Sequence, residues 1–391
     1  MYTAGIVAEF DPFHKGHEYL IKQARERGAT HIAVVMSGAA VQRGEIAVCT
    51  KHERADMALR CGADLVAELP APYSCSMAKF FTDSAVHILG QLEIDALCFG
   101  SETDNTDSIA AAARAMNELD GCGGLKKYIE QGLSYPAAVH AAVLERYGCE
   151  AAGVLETPNS TLGAEYVRAL IGNNISAEIL PVRRVGAGHD KKGGEYPSGS
   201  ELREALYAGK DISVGVPAGC LPSALYDPSL ADDILLYRLL TAERDELLRL
   251  PEVNPAVADR IIKVRSCPPD TLGGFLAEVK TANITHARLR RSALHLALGV
   301  IRADLGAPPP FVRILAFNER GTEILRRAKK DIPVSVSLRE LEKSSERAAH
   351  IAALENRAVR LQQMCRVQTS GGSKALPRFE NEYTRKITVK K

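Results

Sequence analysis

Tryptophan is missing from this 391-residue chain, and aromatic residues amount to only 5% of it. A sheet surface of aromatic rings on which RNA bases stack is therefore not supported. No stretch approaches the roughly 18 apolar residues that cross a bilayer. The opening Met1-Tyr2-Thr3-Ala4 lacks the basic region and apolar core of a signal peptide, so the chain is expected in the cytoplasm. The nine cysteines include no Cys-x-x-Cys pair, and the closest two, Cys49 and Cys61, stand twelve residues apart. A zinc site or dithiol redox centre has no seed there, and reduced, mostly buried thiols are expected. Also absent is the run G-x-x-x-x-G-K-[ST], while Gly186-Ala187-Gly188 continues into His-Asp-Lys where a dinucleotide site needs its third glycine. ATP held by a P-loop, and NAD, are set aside on those grounds.

What is present is enough apolar material, 46% of the residues, to bury an α/β core in two domains or three. The net charge of +1 conceals an asymmetry: residues 251–391 carry 26 Lys and Arg against 14 Asp and Glu, and residues 1–250 carry 23 against 34. A basic part joined to an acidic one points to a polyanionic partner for the former, because neutralised phosphates release their counterions. Nucleic acid is the leading partner class.

Residues 3–10 and 31–37 are short apolar runs, and Lys15 to Arg27 between them reads as a helix stopped by Gly28. Thr50 and Glu53 have the spacing of a capping box, followed by a strand over 63–69, a helix over 76–90 and a strand over 94–99. Such alternation predicts a parallel sheet covered on both faces. Residues 107–149 read as mostly helical, Asn159 as the cap of a helix through Leu170, 177–185 as a strand and Ser200 to Tyr207 as a helix. The first domain is placed at 1–210, a linker rich in Pro and Gly at 211–230, and a basic, mainly helical domain at 231–391. The basic tail 384–391 is expected to be disordered.

The chemistry is carried by Gly5-Ile6-Val7-Ala8-Glu9-Phe10-Asp11-Pro12-Phe13-His14-Lys15-Gly16-His17, where the first strand gives way to the first helix. Ligands of open α/β sheets bind at that edge, and a helix N-terminus there, with its N–H groups, suits the phosphates of a nucleotide. His14 and His17, one turn apart, share a face and can both reach phosphate oxygens, and Gly16 lets the backbone come close. Later in the chain Ser198, Ser200 and Arg203 open the helix after the last predicted strand and are candidates to hold the β- and γ-phosphates. A metal reading of the two histidines needs a third ligand that nothing nearby supplies.

At this point the chain resembles one family, the tRNA(Met) cytidine acetate ligases of the HxGH nucleotidyltransferase-like superfamily. The shared runs are Glu9 to His17, Ser37 to Glu45, Glu68 to Pro70, Phe99 to Glu102, Pro158 to Tyr166 and Arg184 to Gly188, then Thr285 to Arg291 and Val312 to Gly321. The resemblance implies a Rossmann-like parallel sheet with a C-terminal, mostly α-helical domain. It implies an enzyme that uses ATP, with Mg²⁺, and acetate to make N4-acetylcytidine at the wobble position of elongator tRNA(Met), through acetyl-adenylate. It also implies ATP contacts along Val7, Ala8, Glu9, Phe10, Asp11, Pro12, Phe13, His14, Lys15, Gly16, His17, Glu18, Tyr19 and Leu20, then from Gly100, Asn159, Arg183 and Arg184. Two positions depart from the pattern: Asp11 stands where the family has Asn, and Ala39-Ala40 replaces another Asn position.

With that reading, His14, His17 and Lys51 are the catalytic candidates; Lys51 and Arg43 are candidates to bind substrate from the same edge, Arg43 by meeting the tRNA. Lys280, His286, Arg288, Arg290 and Arg291, with Arg326, Arg327, Lys329 and Lys330, form the basic cluster expected to meet tRNA; for each one, a plain solvated charge is the competing reading. Two other functions stay open. One is an H-x-G-H enzyme that transfers a nucleotidyl group to a small phosphorylated acceptor, its extra residues serving a homodimer; the other is an RNA-binding module that retains the fold without catalysis.

Overall fold

Runs of β-branched and small apolar residues become the strands of one sheet, because such residues fill a pleated surface that is buried on both faces. The computed structural model describes residues 1–185, 196–281, 283–367, 381–385 and 387–390. The strands are β1 (Thr3–Ala8), β2 (His31–Ser37), the short pair β3 (Ala40–Val41) and β4 (Glu45–Ile46), β5 (Leu65–Leu69), β6 (Ala96–Ser101), β7 (Glu178–Arg183), β8 (Val312–Phe317), β9 (Val334–Ser335) and β10 (Thr388–Val389). Helices α1 (Lys15–Glu26), α2 (Lys51–Arg60), α3 (Ala78–Gln91), α4 (Thr106–Gly121), α5 (Lys126–Glu130), α6 (Tyr135–Val154), α7 (Pro158–Gly172) and α8 (Gly199–Tyr207) alternate with them. Then come α9 (Asp232–Thr241), α10 (Arg244–Leu248), α11 (Pro255–Val264), α12 (Leu272–Val279), α13 (His286–Leu298), α14 (Glu319–Arg327), α15 (Leu338–Leu341) and α16 (Glu346–Met364).

The main sheet runs β10-β8-β5-β2-β1-β6-β7, with β9 also paired to β8. The five strands from β5 to β7 are parallel, so the strand order turns back between β1 and β6. That turning point is where open α/β sheets offer a ligand crevice. Every residue of β2 is buried. Ile32, Val34 and Met36 pack with α1 and α2 on one face, and Ala33 and Val35 join the cluster of α3 and the C-terminal helices on the other. Each large aliphatic side chain so buried contributes about 1.5–3 kcal/mol. No helix among the described residues is long and apolar enough to cross a membrane.

Several local expectations change. β8 is a strand within a region that reads as helical, and it lies antiparallel to β5, with Leu65 opposite Phe317. The apolar cluster on that face is continuous from Leu65 and Ala67 through Leu235, Phe275, Leu294 and Ile351, so the helices beyond residue 231 share a core with the sheet. The 211–230 segment, read as a linker, is tied down as well: Lys15 N–H donates to Gly215 O and Tyr226 N–H to Val48 O. The tail read as disordered supplies β10. Thr157, not Asn159, stands at the N-cap position of α7, and its side chain makes no capping hydrogen bond. Thr50 caps α2 as expected, but the reciprocal half of the box is missing because Glu53 accepts from Ser223 N–H instead. All nine cysteines are free, five of them buried.

Candidate active site

At the carboxyl end of β1 the chain turns through Phe10, a bulky residue at φ +51°, a conformation that persists only where the surroundings enforce it. Its ring is wedged against Phe13 at 4.7 Å and His17 at 4.8 Å, and both phenylalanines are buried. The turn delivers His14 to the N-cap of α1. His14 Nδ1 accepts from Gly16 N–H at 3.1 Å, and His17 Nδ1 accepts from His14 N–H at 3.2 Å, a capping box built from two imidazoles. The rings stack with centroids 3.6 Å apart.

This geometry fixes the protonation. Each Nδ1 is an acceptor, so the proton of each neutral ring is on Nε2. Burial, then Arg184 and Arg203, push the pKa of His14 down to about 3. Burial, then His14 and Arg184, hold His17 well below its ordinary value. The pair presents two neutral N–H donors, not two cations. One expectation changes with this: the N–H groups of Lys15, Gly16, His17 and Glu18 are all taken, by Gly215 O, His14 Nδ1 and His14 O. The first turn of α1 presents its imidazoles, not free amides, to the space beside it. The start of α8 is different: Ser198 and Glu201 close a capping box, and the N–H groups of Gly199 and Ser200 have no partner among the described residues.

A pocket opens here across the carboxyl ends of β1, β6 and β7. Of the residues expected to touch ATP, Val7, Ala8, His14, Gly16, His17, Tyr19 and Leu20 line it, as do Gly100, Asn159, Arg183 and Arg184. Glu9, Phe10, Asp11, Pro12, Phe13, Lys15 and Glu18 do not; the first five build the turn behind it, and Lys15 and Glu18 belong to the first turn of α1. Sequence reasoning missed its apolar walls, Phe99, Leu162 and Tyr166, and Tyr196, whose ring meets Tyr19 edge-on at 6.0 Å. Phe99 lies in the run Phe99 to Glu102, and Leu162 and Tyr166 in the run Pro158 to Tyr166, where Gly163 shows why the second run needs its glycine: a Cβ there would fall 2.5 Å from the Phe99 ring. Gly186, Ala187 and Gly188 lie outside the described residues.

Asp11 does not face the pocket. Its carboxylate accepts from Val48 N–H at 2.7 Å and from Arg43 at 2.6 Å, so the extra charge is used inside the fold. Its carbonyl takes Arg203 Nη1 at 2.6 Å, and Ser200 Oγ takes Arg203 Nη2 at 2.9 Å. Burial and the neighbouring Arg43 depress the pKa of Arg203, a sign that its positive charge is under-compensated and would be relieved by an anion. Arg43 also pairs with Glu9 and Glu45. Arg54, fully buried and missed by sequence reasoning, pins the same loops by donating to the carbonyls of Glu9, Ser37, Gly38 and Cys49.

Lys51 is not brought to the histidines. Its side chain is 2% exposed and is enclosed by Glu68 at 2.5 Å, Glu355 at 2.9 Å and Glu382 at 3.2 Å. The arginines of α13 are likewise engaged within the chain. Arg288 donates to Glu252 O, Arg290 pairs with Glu45 and Asp232, and Arg291 pairs with Glu252 and reaches Gln42 O. They clamp α13 onto the β3–β4 turn, where Gly44 (φ +80°) comes so close that a Cβ would lie 2.4 Å from Arg291 N. Because β8 is antiparallel, α14 leaves it at the amino edge of the parallel strands, opposite the pocket. Arg327 accordingly pairs with Asp95 there at 2.8 Å, and Arg326 beside it is exposed. Lys280 is exposed at the end of α12. Among the described residues no group of three or more His, Cys, Asp or Glu is arranged to hold a metal ion.

Known proteins resemble this chain over most of its length. The profile of a family described as HIGH Nucleotidyl Transferase matches residues 1–374. The tRNA(Met) cytidine acetate ligase of Syntrophotalea carbinolica is 34% identical over 352 residues, 84% of this chain and 83% of that protein. The one from Listeria welshimeri is 32% identical over 351 residues, 86% and 88% respectively. The crystal structure of Thermotoga maritima TmcAL bound with alpha-thio ATP superposes with a TM-score of 0.84 at 26% identity, covering 93% of this chain and 94% of that one. The apo form of that protein gives 0.89 at 25% identity, with both chains fully covered.

Proposed function

The chain belongs to the tRNA(Met) cytidine acetate ligase family, and from that premise we propose that it activates acetate with ATP and acetylates N4 of the wobble cytidine of elongator tRNA(Met). The observation that carries the reading is the stacked, neutral His14–His17 pair, set at the turning point of the sheet and flanked by Arg184 and Arg203. The alpha-thio ATP held by the Thermotoga maritima protein supports ATP as the ligand of this pocket.

In this proposal adenine lies between the apolar walls, and the triphosphate extends toward α8. The Nε2–H groups of His14 and His17 donate to phosphate oxygens, the Gly199 and Ser200 N–H groups receive the far phosphates, and Arg203 neutralises charge that builds as pyrophosphate departs. An acetate oxygen attacks the α-phosphorus, the bond to the bridging oxygen breaks, and acetyl-adenylate and pyrophosphate result. The cytidine N4 amine then attacks the acetyl carbonyl, AMP leaves, and the amine gives up a proton. Mg²⁺ would enter as the counterion that ATP carries; the described residues offer it no cluster of three or more His, Cys, Asp or Glu. For tRNA, Lys280 is an exposed candidate contact, Arg326 is exposed but on the edge opposite the pocket, and Arg288, Arg290 and Arg291 act by holding α13 in place.

Acetate-dependent exchange of labelled pyrophosphate into ATP tests the activation half-reaction. Exchange that requires acetate supports it. Exchange that requires a phosphorylated small molecule instead would place the chain with nucleotidyltransferases acting on that acceptor class.

A further inference from the structure

The Phe99 to Glu102 motif ends on a side chain that does not line the pocket, yet it governs one that does. Glu102, just past the carboxyl end of β6, sits half-buried beneath the first turn of α7. One carboxylate oxygen accepts from Asn159 Nδ2 at 2.5 Å; the other accepts from Ser160 N–H and Ser160 Oγ, each at 2.9 Å. Ser160 Oγ is reached in turn by Ser101 Oγ at 3.0 Å, which fixes the carboxylate from below. Asn159 then has its amide orientation decided: Nδ2 faces a carboxylate, so Oδ1 faces outward, where it accepts from Arg184 Nη1 at 3.3 Å. Burial pushes the Glu102 carboxyl up, but the hydrogen bonds from Asn159 and Ser160 outweigh it and leave the group below its ordinary range, ionised at neutral pH.

Both Asn159 and Arg184 line the pocket, whereas Glu102 does not. Arg184 is otherwise exposed and has no carboxylate partner among the described residues, so its placement depends on Asn159, and that of Asn159 on Glu102. We infer that Glu102 is a positioning residue for ATP: through its hydrogen bond to Asn159 it turns the Asn159 carbonyl toward Arg184 and so holds that guanidinium over the nucleotide. This rests on the assignment of the pocket to ATP. The relay has a direction, carboxylate to amide to guanidinium, and that direction can be reversed by chemistry without changing its shape.

The test is a double-mutant cycle read by calorimetric binding of alpha-thio ATP to the full-length protein. In Glu102→Gln, the side-chain carbonyl still accepts from Ser160, so α7 keeps its start, but an NH₂ now meets Asn159 Nδ2, forcing that amide to turn its own NH₂ toward Arg184. In Asn159→Asp, a carboxylate meets the Glu102 carboxylate. Each single change is expected to weaken binding by about tenfold or more, the scale of a lost hydrogen bond to a charged group. The double variant, Glu102→Gln with Asn159→Asp, restores donor to acceptor at both joints and keeps the total charge, and is expected to bind at least threefold more tightly than either single variant. The rescue remains readable through Asn159→Asp alone if Glu102→Gln fails to accumulate. A starting protein that does not bind the analogue would overturn the ATP assignment and this inference together. Tight binding by the starting protein, with a double variant no better than its singles or with Glu102→Gln binding normally, would overturn the positioning role alone.

Discussion

Lys51→Met removes the cation that three buried carboxylates share, and its cost can be worked through. Arg313 remains beside Glu68 at 3.2 Å and Glu382 at 3.0 Å, so those two keep a positive partner. Glu355 has no such close ion pair: apart from Lys51, its hydrogen-bond partners among the described residues are the N–H groups of Ala39 and Ala71, and Arg313 acts on it only through space. Burial already pushes the Glu355 pKa up to about 7, with Lys51 the largest opposing influence, and removing Lys51 drives it further up. Breaking a buried pair in this way costs about 3–5 kcal/mol. With an unfolding entropy near 2.1 cal/mol/K per residue, a 391-residue chain gives roughly 0.8 kcal/mol/K, so Tm should fall by about 5 °C. The pH dependence has a definite sign. A carboxyl whose folded pKa is raised contributes stability below its unfolded value, near 4.5, and loses it as pH rises through the folded value. The Tm difference between Lys51→Met and the unaltered protein should therefore widen from pH 6 to pH 8, and Glu355→Gln added to Lys51→Met should recover part of it. Differential scanning calorimetry at the two pH values, with alpha-thio ATP affinity measured in parallel, reads this directly. A Tm unchanged within about 1 °C, together with a lost acetate-dependent exchange reaction, would refute the reasoning and return Lys51 to catalysis.

Four further outcomes follow, three from the site and one from the helices packed against it. In ligand-free protein, nitrogen shifts of His14 and His17 should report the Nε2–H tautomer and show no protonation between pH 8 and pH 5; titration of either near its ordinary pKa would contradict the buried neutral pair. Because the folded pKa of His14 is depressed, its contribution to stability is present above the unfolded value and lost as pH falls, so His14→Asn, which retains a good N-cap, should gain about 1 kcal/mol relative to the unaltered protein between pH 7.5 and pH 5, a figure reduced for water in the pocket. Asp11→Asn should change alpha-thio ATP affinity by less than about threefold, since Arg43 keeps Glu9 and Glu45, while urea unfolding shows a loss of about 1–2 kcal/mol; a large change in affinity would mean the Asp11 charge acts on the nucleotide after all. Arg291→Ala should destabilise the fold by about 3 kcal/mol by stranding the buried Glu252, and Lys280→Ala should leave Tm unchanged while weakening tRNA binding; the reverse pattern in calorimetry and filter binding would restore α13 as the RNA surface.

Much of this was legible in the chain because it is local. The parallel strands announce themselves as β-branched runs, Gly28 stops α1 where expected, and the four residues of H-x-G-H fall where a strand meets a helix. What stayed hidden depends on partners far away. The carboxylates around Lys51 come from β5, α16 and residue 382, so nothing near position 51 shows that the lysine is enclosed. The α13 arginines have the spacing of a solvent-facing basic stripe, and only the packing of the Gln42–Glu45 turn and Glu252 against them turns that stripe inward. β8 is apolar enough to be strand or helix, and its antiparallel pairing with β5 settles the matter. The helix start at Thr157 was missed because Pro158 takes the first helical position and leaves Asn159 one residue inside, free to face the pocket.

The central claim is settled most directly by incubating the purified protein with Mg-ATP, labelled acetate and unmodified elongator tRNA(Met), then digesting the RNA to nucleosides. The account predicts label in N4-acetylcytidine from the wobble position, lost when His14 and His17 are both replaced by Asn. Pyrophosphate release without labelled cytidine would contradict the assignment of the acceptor, and the absence of both would contradict the ligase reading itself.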